Sequence, residues 1–162
     1  MSDVFSKQER SHVMSTIRSS GNRTTELRLV VLLKREGITG WRRQYRLAGK
    51  PDFVFFKERL AIFVDGCFWH GCPRCRNIPV TNGAYWVNKN KKNRARDRLV
   101  TRSLRDKGWT VLRIWEHSLR LPRRVSNRIQ RALRACRQSR RTESRLASGK
   151  LLSIPVTNGQ KF

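Results

Sequence analysis

GKPDFVFFKERLAIFVDGCFWHGCPRC, residues 49–75, contains two short apolar runs joined by a charged turn and followed by a cysteine-rich segment. Apolar runs of this length, bounded by turn residues, predict two buried strands in an antiparallel hairpin. Asp52 begins the first run and Asp65 ends the second, so the hairpin brings their carboxylates together. Hard divalent cations such as Mg2+ prefer such oxygen ligands. The competing interpretation of Asp52, which follows Pro51, is an ordinary turn residue.

Helical patterns precede the hairpin. The Ser6-x-x-Glu9 capping spacing predicts an N-terminal helix that ends before Gly21. Thr24 or Thr25 can cap a second helix, which stops at Gly37. Glu26 would lie in the first turn of that helix, where an acidic residue ordinarily offsets the helix dipole.

The remaining elements alternate between strand and helix. Strands are predicted over residues 41–46 and 109–115, and a long charged helix runs from about Ala84 to Lys107 and ends at Gly108. Pro122 opens a last helix on which apolar residues recur at helical spacing. This order predicts an α/β or α+β sandwich with a mixed central sheet, and we take α/β as the fold class. The sequence divides into a domain over residues 1–137 and a basic, flexible tail over residues 138–162.

The chain is strongly basic. Its 162 residues hold 37 Lys and Arg against 11 Asp and Glu, a net charge of +26, and 22 of the basic residues lie after Asn88. Ten arginines and one acid lie between Arg120 and Arg145. Such a balance predicts a polyanionic partner and argues against a cationic substrate. No apolar run reaches the about 20 residues of a membrane-spanning helix, so we expect an intracellular protein with no membrane partner.

Three cysteines lie within nine residues, at Cys67, Cys72 and Cys75. Reduced thiols at this spacing favour a metal site over a disulfide framework, and a zinc site of this kind needs a fourth ligand. The candidates are His70, His117 and Cys136. His117 is preferred because it ends a predicted core strand. The alternative is a set of buried, reduced cysteines.

His70 follows two aromatic residues on the cysteine-rich segment. On an exposed loop its imidazole can act as a general base on a water molecule, and the alternative role is zinc ligation. Phe68, Trp69 and Trp86 are ordinarily core residues. Because two adjacent large aromatics on an irregular loop do not both face inward easily, the sharper hypothesis is that they wedge between bases of a duplex.

Four segments together resemble a known family. FVDGCFWHGCPRC at residues 63–75, preceded by GKPDFVFF and followed by NKKNRARD and WTVLRIWEH, looks like the very short patch repair (Vsr) DNA mismatch endonucleases. The resemblance runs from about Val4 to Leu121. It implies a restriction-endonuclease-like three-layer core with a structural zinc site. It also implies Mg2+-dependent nicking of one strand of double-stranded DNA next to the T of a T:G mismatch.

The resemblance also implies roles for individual residues. Asp52 becomes the principal Mg2+ ligand, with the backbone carbonyl of Val64 nearby. His70 becomes the general base, Asp97 its orienting partner, and Glu26 an accessory active-site acid.

Two further sets follow from the resemblance. The zinc ligands become Cys67, Cys72, Cys75 and His117, and the residues that enter the duplex become Phe68, Trp69 and Trp86. Asp65 stands where some relatives carry histidine, which leaves open whether it binds metal or contacts the scissile phosphate.

The expected protein is monomeric, cytoplasmic and nucleoid-associated in a bacterial-type cell, with other mismatch-repair proteins as candidate partners. The alternatives are a homing-type or other site-specific endonuclease with the same active site, and a non-catalytic, zinc-stabilised DNA-binding protein.

Overall fold

The computed structural model describes residue 8 and residues 25–75, 78–79 and 82–150. The helix predicted between Ser6 and Gly21 falls, apart from Gln8, outside these residues. The described elements, in chain order, are α1 (Glu26–Arg35), β1 (Trp41–Arg43), β2 (Phe53–Phe55), β3 (Leu60–Asp65), α2 (Gly83–Asp106), β4 (Thr110–Trp115), a short 3-10 helix (Glu116–Arg120) and α3 (Pro122–Lys150).

The four strands form one mixed sheet in the order β1-β2-β3-β4. β1 pairs with β2 and β2 with β3 in antiparallel fashion, whereas β3 and β4 are parallel. The predicted hairpin is therefore present, with Phe53 opposite Ile62. The long crossover that a parallel pair requires is provided by the cysteine-rich loop and α2. The predicted α/β class with a mixed sheet is confirmed.

The two faces of the sheet carry different helices because side chains alternate along a strand. Leu60, Ile62 and Val64 of β3 lie in a core cluster with residues of α1 and α3. Ala61 and Phe63 face the other way and pack with Leu104 of α2. Thus α2 covers one face of the sheet, and α1 and α3 cover the other.

Two local predictions differ from the structure. The strand predicted over residues 41–46 ends at Arg43, because Gln44 has a φ of 52° in the left-handed region, which breaks the ladder with β2. Thr25 is the residue before α1, but its side chain makes no capping hydrogen bond. By contrast, Gly108 ends α2 as expected, with a φ of 74° that a residue bearing a Cβ adopts only with strain.

The last helix is longer than its apolar pattern indicates. Val125, Ile129, Leu133 and Cys136 are buried against the core, yet α3 continues to Lys150. The division between a domain and a tail at residue 138 therefore falls inside a continuous helix, and the tail beyond Lys150 lies outside the described residues. Among the helices that the structure describes, none has the length and apolar character needed to cross a bilayer.

Candidate active site and metal centre

The parallel pairing of β3 and β4 brings the cysteine-rich loop next to His117. Asp65 and Trp115 are register partners at the carboxyl ends of the two strands. Cys67 and His117 each follow two residues later, so both leave the same edge of the sheet. A carboxylate oxygen of Glu116 accepts a hydrogen bond of 3.1 Å from the Cys67 backbone N–H and holds the start of the loop.

Four potential zinc ligands converge at this edge. The Nδ1 atom of His117 lies 3.2 Å from the sulfur of Cys67 and 3.5 Å from those of Cys72 and Cys75. Tetrahedral zinc, with its usual bond lengths to sulfur and nitrogen, separates such atoms by about 3.6 Å. The ligand atoms of all four residues lie within 4.8 Å of one another. The donor set and its dimensions therefore fit a structural zinc ion.

The alternatives for the fourth ligand lie elsewhere. Cys136 is buried in the apolar cluster beneath α3, and His70 points to a carboxylate of α2. Burial raises the pKa of the Cys67 thiol to about 12, and a bound cation would offset this cost by stabilising the thiolate.

Asp52 directly precedes β2, and its side chain reaches the end of β3. Its Oδ2 atom accepts a hydrogen bond of 2.7 Å from the backbone N–H of Val64. Burial raises the pKa of Asp52 to about 6 against that hydrogen bond, with the charges of Glu26 and Asp65 adding to the effect. A buried carboxylate whose charge is poorly compensated favours a cation beside it. A carboxylate oxygen is a ligand type that Mg2+ prefers, so Asp52 is a candidate ligand for that ion.

A cleft with a volume of about 1130 Å³ opens at Asp52. The structure brings all five predicted catalytic side chains to its lining: Glu26, Asp52, Asp65, His70 and Asp97. Arg113, which was not predicted, also lines the cleft. They come from α1, the hairpin, the cysteine-rich loop, α2 and β4. The sheet and the helices on both of its faces are thus required to assemble the site.

His70 connects the cysteine-rich loop to α2 through a carboxylate. Its Nδ1 atom lies 2.6 Å from Oδ2 of Asp97 and 3.9 Å from Oδ1 of Asp65. A carboxylate accepts, so Nδ1 carries the proton and Nε2 is left as the basic nitrogen. α2 also holds the loop backbone, since Asn93 donates to the carbonyl of Trp69 at 2.7 Å and Arg94 to that of Gly71 at 3.1 Å.

Arg113, which the sequence reasoning missed, connects the carboxylates. Its Nε and Nη2 atoms donate to the two oxygens of Asp65 at 2.7 and 2.6 Å, and Nη2 lies 3.1 Å from Oδ1 of Asp97. The guanidinium carbon also lies 4.8 Å from the centre of the Phe63 ring. Burial alone would lower the pKa of Arg113, but the bonds to Asp65 and Asp97 raise it. The available signal was an arginine between Leu112 and Ile114 in an otherwise apolar strand.

Glu26 is buried with 3% of its surface exposed. Its Oε1 atom accepts from Nε of Arg43 at 2.6 Å, and Arg43 is a second functional neighbour that the sequence did not indicate. This ion pair joins α1 to β1 and lies in a buried environment. A residue that only offsets a helix dipole would instead be expected in an exposed first turn.

The three candidate wedge residues form one aromatic cluster beside the cleft. The ring centre of Phe68 lies 5.1 Å from that of Trp69 and 4.7 Å from that of Trp86. Trp86 is only 6% exposed, whereas Phe68 and Trp69 are half-buried. Tyr85, which is 58% exposed, packs on the outer side of Trp86. These rings pack on one another, and their entry into a duplex stays a prediction.

Comparison with known proteins gives a family match over the N-terminal half of the chain. The family model of the DNA mismatch endonuclease Vsr matches residues 2–77. This range includes the hairpin, the cysteine-rich segment and His70.

Individual relatives extend the similarity further. The DNA mismatch endonuclease Vsr of Escherichia coli (strain K12) is 38% identical over 122 residues, which cover 74% of this chain and 77% of the relative. The type II nicking enzyme V.XorIIP of Xanthomonas oryzae pv. oryzae is 37% identical over 121 residues, covering 74% of this chain and 88% of that one. The type II nicking enzyme V.NaeI of Lentzea aerocolonigenes is 53% identical over 68 residues, but these cover only 42% of this chain and 41% of that relative.

Proposed function

The chain belongs to the Vsr family of DNA mismatch endonucleases, and from that premise we propose that it is a Mg2+-dependent enzyme that nicks one DNA strand next to the T of a T:G mismatch. The observation that carries this proposal is the pairing of His70 with Asp97 at 2.6 Å in the same cleft as the partly buried Asp52. A base with an orienting carboxylate and a separate cation ligand are the parts needed for phosphodiester hydrolysis.

Asp52 and the backbone carbonyl of Val64 would hold Mg2+. When bound, the ion supplies a Lewis acid that neutralises charge on the scissile phosphate and on the leaving 3' oxygen. The chain prepares for it by aligning Asp52, whose Oδ2 is fixed by the Val64 N–H. Glu26, held by Arg43, adds a second carboxylate to the cleft, and we assign it as the accessory acid.

His70 takes the proton of the attacking water at Nε2. Asp97 accepts the hydrogen bond from Nδ1–H and so fixes both the tautomer and the direction of the ring. The water oxygen bonds to phosphorus as the bond to the 3' oxygen breaks. The 3' oxygen takes a proton from solvent, which leaves a 5' phosphate and a 3' hydroxyl. Because the two oxygens of Asp65 are taken by Arg113, we assign Asp65 to holding Arg113 rather than to binding the metal.

The aromatic cluster accounts for the choice of a mismatch. Phe68, Trp69 and Trp86 lie on the two segments that flank the cleft, and Trp69 is itself part of its lining. A mismatched pair stacks and pairs less well than a matched one, so ring insertion costs less there. The zinc cluster fixes the loop that bears Phe68, Trp69 and His70, and therefore positions the wedge and the base together.

The wider setting follows from the same assignment. We propose the restriction-endonuclease-like three-layer arrangement for the core, a monomeric enzyme, and other mismatch-repair proteins as its partners in a bacterial-type, nucleoid-associated setting. The mixed sheet with helices on both faces supports the first of these.

A nicking assay tests the proposed function. Matched and T:G-mismatched duplexes of the same sequence are incubated with the protein and Mg2+, and the nicked strand and its ends are identified on a denaturing gel. We expect a nick beside the T of the mismatch, with a 5' phosphate. Equal cleavage of matched and mismatched duplexes would instead favour a site-specific endonuclease, and no cleavage of any duplex would favour a zinc-stabilised DNA-binding protein.

Arg113 is expected to act as a positioning residue for the His70–Asp97 pair. Arg113→Met leaves the buried Asp65 without a counter-charge and should lower the free energy of unfolding by about 3–5 kcal/mol. It also removes one of the contacts that hold Asp97, so we expect kcat to fall with little change in KM. Arg113→Lys, which keeps the charge but not the bidentate fork, should have an intermediate effect.

A paired variant separates positioning from stability. Changing Asp65→Leu together with Arg113→Met removes both buried charges and should recover most of the lost stability. Nicking should stay low, because Asp97 still lacks Arg113. Recovery of nicking together with stability, measured by single-turnover kinetics and urea unfolding, would show that Arg113 matters only for folding.

A further inference from the structure

One face of α3 carries a continuous row of arginines that the site does not use. At about 100° per residue, six arginines fall within an arc of about 100° along the helix. We call them the arginine ridge, and its members are Arg123, Arg124, Arg131, Arg134, Arg141 and Arg145. All six are exposed. The buried apolar residues of α3 fall on the opposite side of the helix, as the packing of Val125, Ile129 and Leu133 requires.

The ridge has no carboxylate partner in the part of the chain that the structure describes. Among the residues that the structure describes, none of its six arginines forms an ion pair with a carboxylate, whereas Arg137, off the ridge, pairs with Glu58 at 2.9 Å. Like charges three and four residues apart, such as Arg131 and Arg134 or Arg141 and Arg145, destabilise a helix by about 0.2–0.5 kcal/mol per pair. The ridge therefore favours an external anion.

The dimensions of the ridge match a duplex. From Arg123 to Arg145 the helix rises by about 33 Å, close to one turn of B-form DNA at about 34 Å. Arginine binds phosphate oxygens through two parallel hydrogen bonds, and the ridge contains no lysine. A membrane surface is a poorer partner, because an interfacial helix needs an apolar face for lipid and that of α3 is buried in the core.

The ridge is separate from the cleft, because none of its six arginines lines it. α1 and α3 cover the sheet face that carries Leu60 and Ile62, whereas α2 covers the opposite face. The cleft takes Glu26 from α1 and Asp97 from α2, but no residue from α3. The arginines point away from the sheet on their side. A duplex that binds the ridge therefore contacts a surface outside the cleft lining.

We propose that the arginine ridge is a second binding surface for duplex DNA, which holds the phosphates of a segment other than the one being nicked. The proposal rests on the proposed function, because that function identifies DNA as the polyanion that the protein binds. Its consequence is that one protein molecule can connect two DNA segments, and the ridge can hold matched DNA while the cleft is empty.

The ridge is tested with a matched pair of triple variants. The ridge variant carries Gln in place of Arg131, Arg134 and Arg141. The lysine variant carries Gln in place of three exposed lysines outside the ridge and the cleft: Lys34, Lys57 and Lys107. Both lose three positive charges. An immobilised mismatched duplex is saturated with protein without Mg2+, and capture of a labelled, matched second duplex is measured. Thermal unfolding checks that both variants fold.

The two variants should behave differently. We expect the wild type and the lysine variant to capture the second duplex. The ridge variant should capture at least about tenfold less of it than the wild type does. Loss of three phosphate contacts also makes the slope of the logarithm of the binding constant against the logarithm of salt concentration shallower by about 2.7. Between 50 and 200 mM salt, the wild type should therefore lose about 40-fold more affinity for matched duplex than the ridge variant does.

Other outcomes are equally decisive. Equal capture and equal salt dependence of the two variants would overturn the ridge proposal, since total charge would then explain the binding. Nicking of a short mismatched duplex, measured separately, should be unchanged in the ridge variant. A protein that captures DNA through the ridge but nicks nothing would contradict the proposed function alone, and one that nicks without ridge-dependent capture would contradict the ridge alone.

Discussion

Replacing Asp52 with asparagine is expected to abolish nicking and also to stabilise the Mg2+-free protein at neutral pH. Asparagine keeps an oxygen that accepts the Val64 N–H but loses the charge that would hold Mg2+. Removal of several kcal/mol of transition-state stabilisation corresponds to a loss of at least about 1000-fold in rate. The gain in stability arises because the carboxylate is buried without adequate compensation.

The sign of the stability change follows from the pKa. Burial raises the pKa of Asp52 from 3.8 to about 6 on folding, so the folded protein binds this proton more tightly than the unfolded chain does. The ionised carboxylate therefore opposes folding. The penalty is complete above about pH 6 and disappears as the pH falls towards 3.8, where the unfolded chain is protonated as well. A shift of this size corresponds to about 2–3 kcal/mol at neutral pH.

Thermal unfolding in Mg2+-free buffer at pH 8 and pH 5 measures this effect. Asp52→Asn should gain about 1–3 kcal/mol at pH 8, and the gain should be smaller at pH 5 because wild-type Asp52 is then mostly protonated. Glu143→Gln, which removes an exposed carboxylate of α3, serves as the control and should change little at either pH. A variant that is less stable than the wild type at pH 8 would contradict the assignment of Asp52 as an uncompensated buried charge.

The hairpin and the metal centre were the parts of the molecule most accessible from sequence. Apolar runs around Lys57-Glu58 determine an antiparallel pair, and the positions of Asp52 and Asp65 follow from the pairing. The preference for His117 rested on its place at the end of a strand, and the parallel register of β3 and β4 brings it to the cysteines.

Long-range polar partners were less accessible. Nothing in local spacing connects Arg113 with Asp65, 48 residues away, because a charged residue in a strand indicates exposure unless its partner is known. Asp97 came only from the family resemblance, since one acid in a charged helix has no distinguishing pattern. The length of α3 was missed for a related reason: beyond Cys136 the apolar spacing ends, while arginine and glutamine continue to favour a helix.

Removing the fourth ligand of the cysteine cluster is expected to cost the protein its zinc and much of its stability. His117→Ala leaves three cysteines, and we expect loss of about one equivalent of zinc, a large fall in Tm and loss of nicking, because binding of structural zinc contributes several kcal/mol or more to folding. His117→Cys restores a tetrahedral set of four sulfur ligands and should retain the metal. Cys136→Ser is the matched control for a buried cysteine outside the cluster.

The pattern across these variants distinguishes a metal centre from a group of reduced core cysteines. If Cys67, Cys72 and Cys75 were merely packed thiols, Cys72→Ser and Cys136→Ser would cost similar free energies, and neither would change the metal content. If they hold zinc, Cys72→Ser should lose the ion and the ordered loop, while Cys136→Ser keeps both. Nicking should follow the zinc content in every variant, because the loop that the ion would fix carries His70. The contacts from Asn93 and Arg94 hold only the backbone of this loop, at Trp69 and Gly71.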